Sequence, residues 1–394
     1  MGLNLLLQSS RSEIESKHVQ QIIAFAGHGK LQDESTTSHE FRDFLKQVSS
    51  EVLRRFASEC LTSKFDDSGL ALQDIVNQVG KRLGFTVKNG RYRGTKKDIG
   101  HDGLWHFPDG HSVVVEVKTT DAYRIDTSRI AEYRKKLVMA GEIEEERSSI
   151  LIIVGREDTG DLEAQIRGSR YAWDIRLISV DALLQLMFLK EAVDDPSIIQ
   201  RICAILIPRE FTRVDGIIDI VFSAAAEAKG EDEIVTEVEE GPNKDPDVTK
   251  VFRPAAYHDA CVELFSQVHK AILVKRTRNT FLSPDGQTAV VCAVSKTHQL
   301  SGKQSYWFAF HPHQKEFLEA HHHGYLVLGC GSGQQVLALP YVEIKALLGD
   351  LWITELEDRM YWHIRLQLEG AKLLLNRKKG LGSLNLSNYL LVAA

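Results

Sequence analysis

His101-Asp102-Gly103-Leu104-Trp105-His106-Phe107-Pro108-Asp109-Gly110-His111-Ser112-Val113-Val114-Val115-Glu116-Val117-Lys118 decides how this chain is read. Two short runs flank Pro108-Asp109-Gly110, and proline, aspartate and glycine are the residues that close tight turns. A hairpin closed there sets Phe107 opposite His111, so the numbers of paired residues add to 218. Asp102 then falls opposite Glu116. Directly opposed residues share a sheet face, with Cβ atoms about 4.5–5.5 Å apart. Lys118, two residues beyond Glu116, returns to that face. Val113, Val115 and Val117 are expected on the other face, in the core.

Two carboxylates so close repel each other and raise a pKa unless a cation sits between them. Carboxylate oxygens suit a hard divalent ion, Mg²⁺ or Mn²⁺, and the backbone carbonyl of Val117 is a third candidate ligand. An ion held there polarises a phosphodiester and acidifies an attacking water, which Lys118 is placed to orient. The plainer alternative is a surface hairpin in which Glu116 and Lys118 form an ion pair worth about 0–1 kcal/mol.

This constellation resembles the catalytic core of the PD-(D/E)XK nuclease superfamily, over roughly residues 65–190. In its order it is most similar to the Mrr-type restriction nucleases. A helix ending in Val79-Gly80-Lys81-Arg82-Leu83-Gly84-Phe85 leads into the sheet, then come Asp102-Gly103, Glu116-Val117-Lys118, a helix and a buried strand. The resemblance implies a restriction-endonuclease-like α/β fold, a mixed central sheet flanked by helices. It implies that Asp102 and Glu116 hold a metal, that Lys118 is catalytic, and that the substrate is double-stranded DNA in restriction or foreign-DNA defence. A module that binds nucleic acid without cutting it, and a nuclease acting on RNA, are the alternatives. The literal Pro108-Asp109 is not the family's aspartate: it sits in the turn, on the order of 20 Å from Glu116 along an extended strand. Many members carry a helix glutamate after a phenylalanine; here Leu72-Gln73 occupies that place, so Gln73 offers a hydrogen bond without charge. Gln165, on a later helix, is a further candidate near the site.

Around this core the chain divides by pattern. Residues 1–50 read as a helical segment, with Asn4–Leu7 a short strand or apolar turn. Residues 51–195 read as the nuclease-like domain, 196–229 as an extension, 230–250 as an acidic linker, and 251–394 as an additional C-terminal α+β domain. Leu72, Ile75, Val76, Val79 and Leu83 recur at helical spacing as one buried stripe. Ser149–Val154 suits a strand buried on both faces, and Ser179 suits the cap of a following helix. Lys81, Arg82, Lys88, Arg91, Arg93, Lys96 and Lys97 lead into the hairpin with no acid among them, either as a solvated loop or as contacts to DNA phosphates.

In the C-terminal part, Arg276 and Arg278 precede a turn and are candidate phosphate contacts. Trp307, Phe308, Phe310, His311 and His313 lie close together; rings in an alternating strand are expected in the core, and a base-stacking role is the functional alternative.

The whole-chain figures set outer limits. The net charge of −6 excludes a uniformly basic coat. Five cysteines without a CxxC pair argue against structural zinc or a disulfide framework and for a reducing cytoplasm. No apolar run reaches the 18 residues of a membrane span, and Gly27-His28-Gly29-Lys30 lacks the rest of a phosphate loop, so neither a membrane nor a nucleotide cofactor is expected. A subunit with one metal site cuts one strand, and a double-strand cut therefore expects a two-fold homodimer.

Overall fold

The structure, a computed structural model, describes residues 2–63, 65–92, 99–119, 125–155, 160–208, 254–300, 303–355, 360–378 and 380–392. Arg93, Lys96, Lys97, the apolar run 217–222 and the acidic stretch 230–250 lie outside the described residues. The chain forms two compact units, Met1–Lys190 with Ser197–Val221 and Glu191–Pro196 with Phe222–Ala394.

The first unit is a mixed α/β structure. Its sheet runs β1 (Thr86–Asn89), β2 (Gly103–His106), β3 (Ser112–Lys118), β4 (Ser148–Val154) and β5 (Ile175–Ser179) in spatial order. The pairs β1–β2 and β2–β3 are antiparallel; β3–β4 and β4–β5 are parallel. Helices α1 (Leu3–Ser9), α2 (Arg11–Glu15), α3 (Val19–Phe25), α4 (Thr36–Gln47), α5 (Ser50–Thr62) and α6 (Ser68–Leu83) precede the sheet. The Asn4–Leu7 run is therefore helical; a short apolar stretch fits either state by pattern, and its packing against α4 decides.

Local chemistry sets the ends of these elements. Ser49 accepts the Val52 N–H at the start of α5, and Ser179 accepts the Ala182 N–H at the start of α9 (Val180–Glu191). Gly84 closes α6 at φ 101°, a left-handed cap that glycine adopts without strain.

Helix α6 carries more than the single apolar stripe that its spacing predicts. Gln73, Asp74, Asn77, Gln78 and Arg82 are buried with the leucines and valines, because α4 and α5 cover one side and the sheet the other. Two of these buried polar groups tie α6 to its neighbours. Arg82 donates to Ser50 Oγ at 2.7 Å and to the carbonyls of Val48 and Leu45. Asp74 pairs with Arg42 at 2.9 Å and accepts from the Tyr92 hydroxyl.

Helices α7 (Thr127–Met139) and α8 (Gly160–Arg167) pack on the opposite face, through Ile130, Tyr133, Leu137, Leu162 and Ile166 against Leu104, Val114, Ile150 and Ile152. Sheet residues of both parities are thus enclosed. Val113, Val114 and Val115 are all fully buried, whereas Val117 at the strand end is only half-buried. Helix α10 (Pro196–Ala204) follows, with Cys203 Sγ 3.3 Å from the Leu83 carbonyl.

The C-terminal unit is α+β. Three helices, α11 (Pro254–His269), α12 (Pro312–Glu319) and α13 (Tyr341–Leu347), accompany two sheets. One is ordered β12-β11-β8-β7-β6, from Val336–Pro340, His323–Cys330, Thr288–Ser295, Thr280–Leu282 and Val274–Lys275. The other is ordered β16-β15-β14-β10-β9, from Ser383–Asn385, Lys372–Asn376, Met360–Glu369, Lys303–Phe310 and His298–Leu300, with β13 (Trp352–Glu355) also paired to β14. Alternation along β10 sends Tyr306, Phe308 and Phe310 into the core with Ile364, Leu366, Leu373 and Leu375. Trp307 has the other parity and is half-buried on the opposite face, so the expectation of a core position holds for Phe308 and Phe310 but not for Trp307. No helix among the described residues is long and apolar enough to cross a membrane.

Helix α6 approaches the sheet closely at Gly80, where an added Cβ would lie 2.6 Å from the fully buried Trp105 indole. Helix propensity alone makes Gly80→Ala stabilising by about 1 kcal/mol. The rigid ring predicts the reverse, a loss of about 1–3 kcal/mol by overpacking. Urea unfolding of the variant decides by sign.

Candidate functional site

The hairpin register is the one that the turn dictates. Gly103 pairs with Val115, Leu104 with Val114, Trp105 with Val113 and His106 with Ser112, each pair adding to 218. The turn is closed by Gly110 N–H to the Phe107 carbonyl at 2.9 Å and Phe107 N–H to the His111 carbonyl at 2.8 Å. Gly110 lies at φ 89°. Asp109 is spent inside the turn, its Oδ1 accepting the His111 N–H at 3.0 Å.

Asp102 sits one residue before β2, where the paired register ends at Gly103 and Val115; its N–H donates to the Val115 carbonyl at 3.0 Å, one residue out of that register. Its Oδ2 accepts the Val117 N–H at 2.7 Å, a bond that pins the carboxyl beside β3. The Asp102 carbonyl is fixed from behind by three donors: Gly90 N–H at 2.9 Å, Gln73 Nε2 at 3.0 Å and Asn77 Nδ2 at 2.9 Å. Asn77 Oδ1 in turn accepts from the Trp105 indole at 2.9 Å. Gln73 therefore braces the backbone of Asp102 from α6 and brings no charge.

Glu116 is 8 % exposed. Its Oε1 takes Lys118 Nζ at 2.5 Å. Its Oε2 is buried and has no hydrogen-bond partner among the described residues, an expensive state for a carboxylate oxygen. Burial and the Glu116 charge push the Asp102 carboxyl up to about 7, against the opposing pull of the Val117 N–H and Lys118.

The two acids and Lys118 lie toward the carboxyl ends of the parallel strands β3 and β4, joined beyond by Gly155 N–H to the Lys118 carbonyl at 2.9 Å. In open α/β sheets this is the edge where ligands bind. A cleft of about 250 Å³ opens along it, lined by Gly155, Ser179 and Asp181, and by Arg54, Ser58 and Thr62 of α5.

The first turn of α7 adds a cation that the sequence reading missed. Arg129 Nε donates to the Tyr133 hydroxyl at 2.6 Å, and the guanidinium lies 5.8 Å from the centre of that ring. Its pKa is raised by the bond to Tyr133 and, in smaller part, by the charge of Glu116. The available signal is the four-residue spacing of Arg129 and Tyr133 on the helix after Glu-x-Lys.

Other candidates lie apart from this cluster in their recorded contacts. Gln165 Oε1 accepts the Ile125 N–H at 3.1 Å, at the entry to α7. Lys88 is exposed and pairs with Glu142 at 2.6 Å, and Arg91 is exposed. In the C-terminal unit, Arg276 N–H donates to the Thr280 carbonyl and Arg278 N–H to the Val193 carbonyl. Burial lowers the Arg276 pKa against the pull of Glu191.

Among the described residues no three His, Cys, Asp or Glu side chains gather as a metal-holding group; the hairpin offers two carboxylates and backbone oxygen. Compared with models of known protein families and with curated proteins, the chain gives no match.

The raised Asp102 pKa has a consequence for stability. Between about pH 4, the ordinary carboxylate value, and pH 7 the folded state keeps a proton that the unfolded chain has released. This group's contribution to stability therefore falls as pH rises through that window. Glu116→Gln removes the repelling charge and leaves Lys118, one-third exposed, free to hydrate. In EDTA the variant is expected to be more stable than the parent at pH 7.5, by on the order of 1 kcal/mol. The gain should shrink toward pH 4.5. Thermal unfolding across that range checks both the sign and the slope.

Proposed function

We propose that the chain is a divalent-metal-dependent DNA endonuclease with a restriction-endonuclease-like first unit, hydrolysing phosphodiester bonds in restriction or foreign-DNA defence. The observation that carries this reading is the closeness of the Asp102 and Glu116 carboxyls at a strand end, with Lys118 paired to Glu116 and Glu116 Oε2 lacking a partner among the described residues. A surface ion pair needs one acid; a second acid held against it invites a cation.

The residues fit such an ion. The donors are hard oxygens, as Mg²⁺ or Mn²⁺ prefers, and one of them is buried without a partner. Asp102 and Glu116 would hold it, with the Val117 carbonyl as the backbone ligand. When bound, the ion supplies charge neutralisation and Lewis-acid polarisation of the phosphodiester.

The chain's own groups do the rest. Lys118, released from Glu116 Oε1, donates to the attacking water and orients it toward phosphorus. Gln73 and Asn77 keep Asp102 from drifting by holding its carbonyl. Arg129, standing on Tyr133, offers its guanidinium to a non-bridging phosphate oxygen. Lys88 and Arg91 add backbone phosphate contacts along the approach. Duplex cleavage then follows from two copies related by a two-fold axis, one for each strand.

Supercoiled plasmid with Mg²⁺ should be nicked and then linearised, and EDTA should stop the reaction. Asp102→Asn, Glu116→Gln and Lys118→Ala should each slow it by about 10²–10⁴-fold. Arg129→Ala should slow it by about tenfold or more with the fold intact. Full activity of Glu116→Gln overturns the assignment. Metal-independent binding of both methylated and unmethylated DNA without cleavage would mark the chain as a binding module, and preferential cleavage of RNA as a ribonuclease.

A further inference from the structure

The sheet of the C-terminal unit built from β9, β10 and β13–β16 has two unlike faces. The inner one is aliphatic and aromatic core. On the outer one, register sets Trp307 opposite Arg365, Ala309 opposite His363, Trp352 opposite His363, and Arg365 opposite Asn376. Tyr361 lies on the same face, two residues before His363.

These rings form one contiguous cluster, tilted to one another by 50–78°. Tyr361 and His363 have centroids 5.0 Å apart, Trp307 and His363 5.9 Å, and Trp307 and Tyr361 6.2 Å. The Arg365 guanidinium lies 5.3 Å from the centre of the Trp352 ring. Their polar edges are turned on each other: Trp307 Nε1 donates to His363 Nδ1 at 3.0 Å, and His363 Nε2 lies 2.6 Å from Thr354 Oγ1. An imidazole that accepts at Nδ1 is the neutral form, and burial and then the Arg365 charge hold its pKa down. The rings are half-buried and Arg365 is exposed.

Charge on this face has one sign at its centre. Arg365 is the cation among the rings, and Glu369, at the edge of the same face, is paired with Lys303. A solvated sheet face usually alternates acids and bases. Here two tryptophans, a tyrosine and a neutral histidine are interleaved with amide side chains and an arginine. That composition matches the π faces, base edges and phosphates of an unpaired polynucleotide.

We propose that this outer face binds single-stranded nucleic acid, stacking bases on Trp307, Tyr361 and Trp352 while Arg365 meets the phosphate. The site is separate from the hairpin and deepens the nuclease reading by giving the chain a means to hold an unpaired segment. Its evidence lies wholly within the C-terminal sheet.

The test uses the full chain carrying Glu116→Gln, in EDTA, so that a failure of the nuclease reading does not affect it. Labelled oligo-dT, oligo-U and a duplex of matched length are titrated by fluorescence anisotropy, with tryptophan emission followed in parallel. Single strands should bind with quenching of tryptophan emission, and the dT and U arms separate DNA from RNA preference. Arg365→Glu, exposed and thus tolerated by the fold, should weaken single-strand binding about tenfold or more, and Arg365→Lys should retain part of it. Trp352→Ala should lose affinity by a similar factor, with unfolding midpoints recorded for each variant. Single-strand binding that Arg365→Glu and Trp352→Ala leave unchanged overturns the proposal. So does an absence of single-strand binding, including the case in which sedimentation shows self-association that Arg365→Glu abolishes and the face is a protein interface.

Discussion

The closeness of two buried carboxylates, Asp102 and Glu116, is the constraint on which the rest of the first unit depends. Asp102 comes beside Glu116 because a short turn joins β2 to β3 and the Asp102 carboxyl then accepts the Val117 N–H, and the surroundings enclose both acids. Enclosure makes the pair costly: Asp102 is pushed toward neutrality and Glu116 Oε2 lacks a partner among the described residues. Folding tolerates it because each acid is anchored by a bond along β3, Asp102 to the Val117 N–H and Glu116 to Lys118. Sites of chemistry are where such local cost is retained.

Support for this pair comes from both faces of the sheet. Helix α6 supplies Gln73 and Asn77 beneath the Asp102 backbone, and its Gly80 lets Trp105 pack against the helix axis. Helix α7 supplies the apolar cover and places Arg129 near Glu116. The C-terminal unit follows a different logic. Its second sheet separates a core face from a ring-bearing face by strand parity alone, so neighbouring residues Trp307 and Phe308 take opposite roles.

Much of this was legible in the sequence wherever a local rule acts. Pro108-Asp109-Gly110 fixed the hairpin length and hence the register; Gly84 and Ser179 marked helix ends; the apolar run at 149–154 marked a central strand. What was not legible depends on distant partners. Asn77 looks like a solvent-facing position on α6 until α4, α5 and the sheet close around it, and for Gln73 the uncharged hydrogen bond was legible but its acceptor, the Asp102 carbonyl, was not. Arg129 is a surface cation until β3 is placed beside it. The strands at 336–340 and 372–376 were missed because their pairing with β11 and β14 defines them more than their own pattern. The nuclease resemblance rests on the hairpin and its flanking order, a span that says nothing about what the C-terminal sheet contacts.

The three donors on the Asp102 carbonyl come from Gly90, Gln73 and Asn77, which lie 12, 29 and 25 positions away in the chain. That junction closes only when the end of β1, helix α6 and the start of β2 have all arrived, and such contacts between distant segments form late because each closes a loop first. Glu116 and Lys118 emerge from the ribosome after all three. The acidic pair therefore exists only once residues from four separated segments have met. A half-made chain carries the residues without the site, because the two carboxyls meet only when α6, β1, β2 and β3 are together.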